Sequence, residues 1–252
     1  MSSVIPSCFH AALAGLALGI GASYYLNMFS NARLDGSKRD RTRAVIVETA
    51  LRSFRERGYD ATTIRHIAAE AGVSVGTTNY HFASKNELVQ EFYLEVQHAH
   101  RDAAAPRLAR TRDLGERLAA VFHTGLDQLT PTHEHAPEFL TAAVSPRSSI
   151  NPLSPESNAA LAIVEELFRE AVTGADHKLP ADIAAALPSA LVLAHLLLAM
   201  YWVYDDSPGQ VRTRRLLDKG LGLLALALPL ARLPLLRRPL RELLDLIAEA
   251  RA

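Results

Sequence analysis

From Arg39 the chain takes on a helical rhythm. Ala44, Val45, Val47, Ala50, Leu51 and Phe54 recur at three- and four-residue spacing and mark one face of a helix that Gly58 ends. Thr62 and Thr63 offer caps for a second helix, with Ile64, Ile67, Ala68 and Ala71 facing inward and Gly72 closing it. Ser74 caps a third, very short helix through Tyr80. Ser84 opens a fourth with a capping box, Glu87 standing three residues after the cap. That helix runs through Leu88, Phe92 and Val96 towards Pro106. Beyond residue 110, helices alternate with Pro- and Gly-bearing breaks. Asp113 to Leu129 reads as a helix, Thr130 to His135 as a polar loop, and Glu138 to Val144 as a short helix. Ser145 to Pro155 is a Pro/Ser-rich loop, and Glu156 to Val172 is amphipathic. Ile183 to Tyr204 carries no charge in 22 positions. Val211 to Ala231 starts basic and ends apolar. Leu236, Leu240, Leu243, Leu244 and Ile247 stripe a last helix.

The first 32 residues hold no Lys, Arg, Asp or Glu, and Phe9 to Leu26 is an apolar run of 18 residues. Such a run is short for a membrane span, and no positive charge precedes it as in a secretory signal. Its glycines weaken a helix standing in water. The preferred expectation is a start assigned too early, with Met28 as the natural one. A membrane anchor at residues 9–26, leaving the rest of the chain in the cytoplasm, is the alternative. Asn31 to Ser37 reads as a linker.

Composition supports helices throughout. Of 252 residues, 41 are Ala and 39 are Leu, while aromatics make up 6%. Strong helix formers dominate and strand formers are scarce, which excludes a β-sandwich or barrel. Charge balances at 27 basic against 27 acidic residues, so no global field advertises a polyanionic partner. Cys8 is the single cysteine, which excludes an internal disulfide framework and fits a reducing cytoplasm.

The chemistry concentrates between residues 38 and 85. Thr63 to Ser74 spells two short helices joined at Gly72, a helix-turn-helix. Small Ala68 lets the helices approach, Gly72 supplies the turn, Val73 plugs the space between them, and Ser74 caps the second helix. The N-terminal residues of that helix are then placed to enter a DNA major groove. Nine basic and five acidic residues lie between Lys38 and Lys85, a local excess of +4 in a chain whose total is zero.

The run Phe54-x3-Gly58-Tyr59-x2-Thr62-Thr63-Ile64-x2-Ile67-Ala68-x2-Ala71-Gly72-Val73-Ser74-x-Gly76-Thr77-x2-Tyr80-His81-Phe82-x-Ser84-Lys85-x2-Leu88 closely resembles the DNA-binding domain of the TetR family of transcriptional regulators. The resemblance covers about 50 residues, from Arg39 to Leu88. It implies an all-α chain: an N-terminal three-helix helix-turn-helix DNA-binding domain, then an all-helical effector-binding and dimerisation domain. The expected divisions are 1–37 as an apolar extension and linker, 38–86 as the DNA-binding head, and 87–252 as the helical body. It gives Thr63 a capping and phosphate role. It puts Val75, Thr77 and Thr78 where the family reads base edges, and Tyr80, His81 and Lys85 where it clamps the backbone. Val75 stands where polar residues are frequent and Asn79 where an aromatic is; Val75 suits a thymine methyl and Asn79 an adenine.

The implied function is a ligand-responsive repressor. Its expected partners are a near-palindromic double-stranded operator, a second copy of the chain, and a small-molecule effector of lipophilic or aromatic character. The uncharged 183–204 stretch is expected in the core and the dimer interface. A membrane-tethered sensor anchored through residues 9–26 is the alternative. No nucleophile elbow, phosphate-binding loop, dinucleotide fingerprint or metalloprotease motif occurs, so no catalytic residue and no cofactor is assigned. His98 and His100 point apart on a helix. His133 and His135, near Glu134 and Glu138 with His123 upstream, are the one metal candidate, and it is read as unfilled. Asp205 and Asp206 read as helix-end charges.

Overall fold

The computed structural model describes residues 37–144, 148–176 and 179–249. The apolar run 9–26, Met28 and most of the expected linker lie outside them. Among the described residues there are ten α-helices and no strand. They are α1 (Lys38–Ala61), α2 (Ile64–Glu70), α3 (Val75–His81), α4 (Lys85–Leu108), α5 (Leu114–Leu129), α6 (Ala136–Val144), α7 (Asn158–Thr173), α8 (Ala181–Val203), α9 (Val211–Ala227) and α10 (Pro234–Glu249).

Two cores organise them. The first gathers Ile46, Val47, Ala50, Leu51 and Phe54 of α1 with Ile67 of α2, Phe82, and Leu88, Val89 and Phe92 of α4. Ile46 belongs to the buried stripe, whereas Val45 is only half-buried. Phe139 of α6 enters this core as well, stacked on Phe92 with centroids 5.6 Å apart and edge-on to Phe54 at 5.7 Å. The packing around α1 therefore runs past residue 86 and takes in a helix from the body. The second core fills the space between the far half of α4 and helices α5, α7, α8 and α9.

Several boundaries differ from the expected ones for identifiable reasons. Thr130–His135 is a 3-10 helix, with Pro131 in its opening turn, where a missing N–H costs nothing. The hydroxyls of Thr130 and Thr132 donate to the carbonyls of Leu126 and Leu129. The segment bridges α5 to α6 without an open loop. Pro106 lies inside α4, which continues to Leu108. Helix α9 stops at Ala227, ahead of Pro229, and a short 3-10 turn follows. At Ser84 half of the capping box forms: the Ser84 hydroxyl accepts from the Glu87 amide, but the Glu87 carboxylate takes the Ala83 amide instead.

Helix α8 is long and apolar enough to cross a bilayer. Its inner face nonetheless forms a wall of the body, with Ile183, Leu187, Leu191, Val192, Leu198 and Trp202 buried. Its joint with α9 is tied by Asp205, whose carboxylate accepts from the amides and hydroxyls of Ser207 and Thr213. Burial alone would raise its pKa. The bonds from Ser207 and Thr213 outweigh that and hold it well below the usual carboxylate range.

In the body core, His195 of α8 stacks on His100 of α4, 5.6 Å apart and 16° from parallel. Gly125 of α5 makes room for the pair, since a Cβ there would come within 2.6 Å of the His195 ring. Burial, and then the neighbouring His100, push the His195 pKa down to about 3. An unfolded imidazole takes its proton near 6.5, so between these values the unfolded chain binds the extra proton. Stability is whole above pH 6.5 and falls as pH drops towards 3. The slope attributable to His195 reaches about 1.4 kcal/mol per pH unit. Denaturant titrations from pH 7 to 4 should show His195→Leu losing less stability on acidification than the wild type. Parallel losses would contradict a neutral buried His195.

Candidate DNA-binding site

The head is assembled by its caps. Thr63, one of the two cap candidates, receives the His66 amide at 3.1 Å and starts α2. Thr62 is buried and serves α1 instead: its hydroxyl donates to the Gly58 carbonyl at 2.7 Å and lies 3.0 Å from Ser53 Oγ. Gly58 itself has φ +76°, a left-handed conformation that ends the regular part of α1. Gly72 turns the chain with φ +66°, and the Val73 amide reaches back to the Ala68 carbonyl at 3.0 Å. Ser74 then caps α3 by accepting the Thr77 amide at 2.9 Å.

This geometry sorts the expected site residues. Val75, Gly76, Asn79 and Tyr80 are exposed on α3, at the i, i+1, i+4 and i+5 positions of one helix face. Thr63 is exposed at the start of α2, and Thr77 and His81 are half-buried. Thr77 Oγ1 lies 2.9 Å from Ser74 Oγ, so its hydroxyl braces the cap. Thr78, expected among the base-reading positions, is fully buried and donates to the Ser74 carbonyl at 3.3 Å. It faces the core and presents nothing to a groove.

Lys85 is also turned inward. Its ammonium donates to the Tyr59 carbonyl at 2.8 Å and lies 3.6 Å from the centre of the Tyr59 ring. Burial lowers its pKa, while Asp60 acts in the opposite direction. The Tyr59 hydroxyl donates to Asn86 Oδ1 at 2.9 Å, so α4 is fastened to the end of α1 at two points.

The motif said nothing about the first turn of α1, which also belongs to this face. Ser37 forms a complete capping box with Asp40. Those bonds from Ser37 hold the Asp40 carboxyl below its ordinary value, and the charges of Arg39 and His81 add to it. The Arg39 guanidinium sits over the Tyr80 ring, 5.5 Å from its centre, and Tyr80 meets His81 edge-on at 5.2 Å. Behind this face, Arg43 pairs with Glu91 at 2.5 Å and Arg55 with Glu95 at 2.7 Å, tying α1 to α4. Burial raises the Glu95 carboxyl, and Arg55 partly offsets the shift.

The histidines weighed as a metal candidate have separate partners. His133 Nε2 bonds the Trp202 carbonyl at 3.0 Å, His135 lies 3.7 Å from Glu138, and His123 pairs with Asp218 at 2.8 Å. Among the described residues no three potential ligands gather at one point.

A short helix presented by a glycine turn, with a solvent-facing strip and a cationic neighbour, defines a helix-turn-helix DNA-binding protein. The comparisons with known proteins agree. A family model described as bacterial regulatory proteins, tetR family, matches residues 46–92. A second, described as tetracyclin repressor-like, C-terminal domain, matches residues 117–249, just over half of the chain. The chain belongs to the TetR family of bacterial regulatory proteins.

Curated relatives match over short stretches of the chain. The chain is 49% identical over 49 residues to the HTH-type transcriptional repressor KstR2 of Mycobacterium tuberculosis, covering 19% of this chain and 24% of that protein. It is 34% identical over 91 residues to the HTH-type transcriptional regulator BetI of Agrobacterium fabrum, covering 35% and 44%. These alignments span less than half the length of either relative. Solved structures extend the likeness of fold. A TetR transcriptional regulator from Nitrosomonas europaea superposes with a TM-score of 0.54 at 20% identity, over 72% of this chain and 96% of that one. A tetR-family regulator from Streptomyces coelicolor gives 0.54 at 20%, over 83% and 89%.

Proposed function

We propose that this chain is a ligand-responsive transcriptional repressor that binds a near-palindromic operator as a homodimer in the cytoplasm and is released by a small-molecule effector. One observation carries the reading: Val75, Asn79 and Tyr80 stand exposed on one face of α3, while Thr78 anchors the opposite face. In this reading Val75 meets a thymine methyl, Asn79 an adenine edge, and Thr63 and His81 the backbone. Thr77 and Thr78 shape the helix that presents them. The effector is lipophilic or aromatic, because the body core of Leu, Ala, Val and Phe offers few polar groups.

Selection of bound fragments from the organism's own genome tests this. The expected result is a few near-palindromic sites whose half-sites lie about one helical turn apart. Recovery of fragments with no shared sequence would refute it. Asn79→Ala should relax the preference at one position of each half-site by about 1–3 kcal/mol while leaving non-specific binding unchanged. A set of single-base operator variants measured against both proteins reads this directly.

A further inference from the structure

We propose that Arg39, seated on Tyr80, is the phosphate-gripping cation of the head, and that Lys85 is an internal strut with no phosphate contact. The proposal rests on the DNA-binding reading above and assigns its electrostatic contact to a residue outside the helix-turn-helix. Lys85 follows a helix cap, the usual place for a backbone clamp, yet its ammonium is engaged by the Tyr59 carbonyl and ring. To meet a phosphate it would have to surrender both, leaving the Tyr59 carbonyl with only the longer bond from the Thr62 amide at 3.3 Å. Arg39 has the opposite surroundings. It is exposed on the first turn of α1, between Lys38 and Arg41. The acid beside it, Asp40, is held by the hydroxyl and amide of Ser37.

Tyr80 explains how so long a side chain is aimed. Tyr80 is 69% exposed, so its ring is open to a neighbour from α1. Arg39 lies over it at 5.5 Å, and His81 touches it edge-on at 5.2 Å. A guanidinium set over an aromatic face keeps its N–H fork available in its own plane, where phosphate takes two donors at once. Arg39 and Tyr80 thereby join the start of α1 to the end of the recognition helix as one grip. Tyr80 is a positioning residue for Arg39 through its ring rather than its hydroxyl.

The test needs no known operator. A fluorescein-labelled 30-base-pair duplex of mixed sequence is titrated with the full chain between 50 and 200 mM KCl, and log Kd is plotted against log salt. Arg39→Ala should reduce the slope by about 0.9 per head engaged. Tyr80→Ala should reduce it too, and Tyr80→Phe should restore it. Lys85→Met should leave the slope unchanged and lower the melting temperature. An unchanged slope in Arg39→Ala overturns the assignment. So does a reduced slope in a cooperatively melting Lys85→Met. The Arg39 and Tyr80 variants decide the matter by themselves if Lys85→Met does not fold. Absence of any duplex binding by the wild type would instead overturn the DNA-binding reading, and this assignment with it.

Discussion

Arg117→Met is expected to destabilise the folded chain by about 3–5 kcal/mol, the upper end for a single substitution. Arg117 is 4% exposed, and its guanidinium donates four hydrogen bonds to backbone carbonyls. Nη1 reaches Leu108 at 2.6 Å and Thr111 at 3.0 Å; Nε reaches Ala171 at 2.8 Å and Nη2 reaches Glu170 at 2.8 Å. Leu108 ends α4, and Glu170 and Ala171 lie in the last turn of α7. One buried side chain from α5 thereby ties two helix ends together, although the Glu170 carbonyl also accepts from the Gly174 amide at 3.0 Å. Met fills similar volume but offers no N–H, leaving buried carbonyls unpaired. Lys fares little better, because a single ammonium cannot span acceptors on two helices. Thermal melts should show Arg117→Met lower by roughly 10 °C, given about 2–4 °C per kcal/mol for a chain of this size. A fall under about 2 °C would mean that water replaces the guanidinium.

Arg117 also marks a limit of what pattern alone reveals. A charged residue between Glu116 and Leu118 looks like an exposed position of an amphipathic helix. Only the arrival of α7 makes it a buried clamp, with Gly174 leaving room for its guanidinium. A Cβ at Gly174 would collide with the Arg117 guanidinium, yet the sequence places the two 57 positions apart.

The head was legible because its signals are local. Thr63, Ser74 and Ser84 each accept the amide three residues on, and Gly72 adopts the left-handed turn that its position requires. Periodicity likewise located nearly every helix of the body. What escaped was direction at the level of single side chains. Thr78 and Asn79 are neighbours of similar polarity, but one is buried and one exposed. The difference depends on how α3 rolls against α2. Lys85 looks solvent-facing in sequence, and the Tyr59 carbonyl that captures it lies 26 residues earlier. Arg39 gave no signal within the motif because its partner, Tyr80, is 41 positions away. Phe139 was hidden in the same way: its helix is part of the body in sequence, but its ring completes the core of the head.

On the homodimer reading proposed above, Leu197→Glu is expected to yield monomers and to weaken operator binding by about a hundredfold or more. The described residues leave a broad apolar surface on the outward sides of α8 and α9. Leu197 is 53% exposed, with Met200 and Tyr201 continuing along α8 and Tyr204 just past its end. On α9, Leu223 and Leu226 are 69% and 74% exposed, and Leu216 lies on the same helix. A surface of this extent on a monomer marks an interaction site, and obligate homodimers cover such surfaces with a second copy. Within one chain Leu197 touches little, so a glutamate there should change folding stability by no more than about 0.5 kcal/mol. In a dimer the same carboxylate would be buried without a counter-charge, which association cannot tolerate. The two effects therefore separate. Melting should be nearly unchanged at a dilution where both proteins are monomeric, while sedimentation velocity at higher concentration shows the mass halved. Operator affinity then falls although the head is intact, because one half-site supplies half of the contacts and the second head no longer arrives at high effective concentration. Leu223→Glu on α9 should act alike. A wild-type monomer that binds the operator tightly, or dimers that survive both substitutions, would place the interface elsewhere.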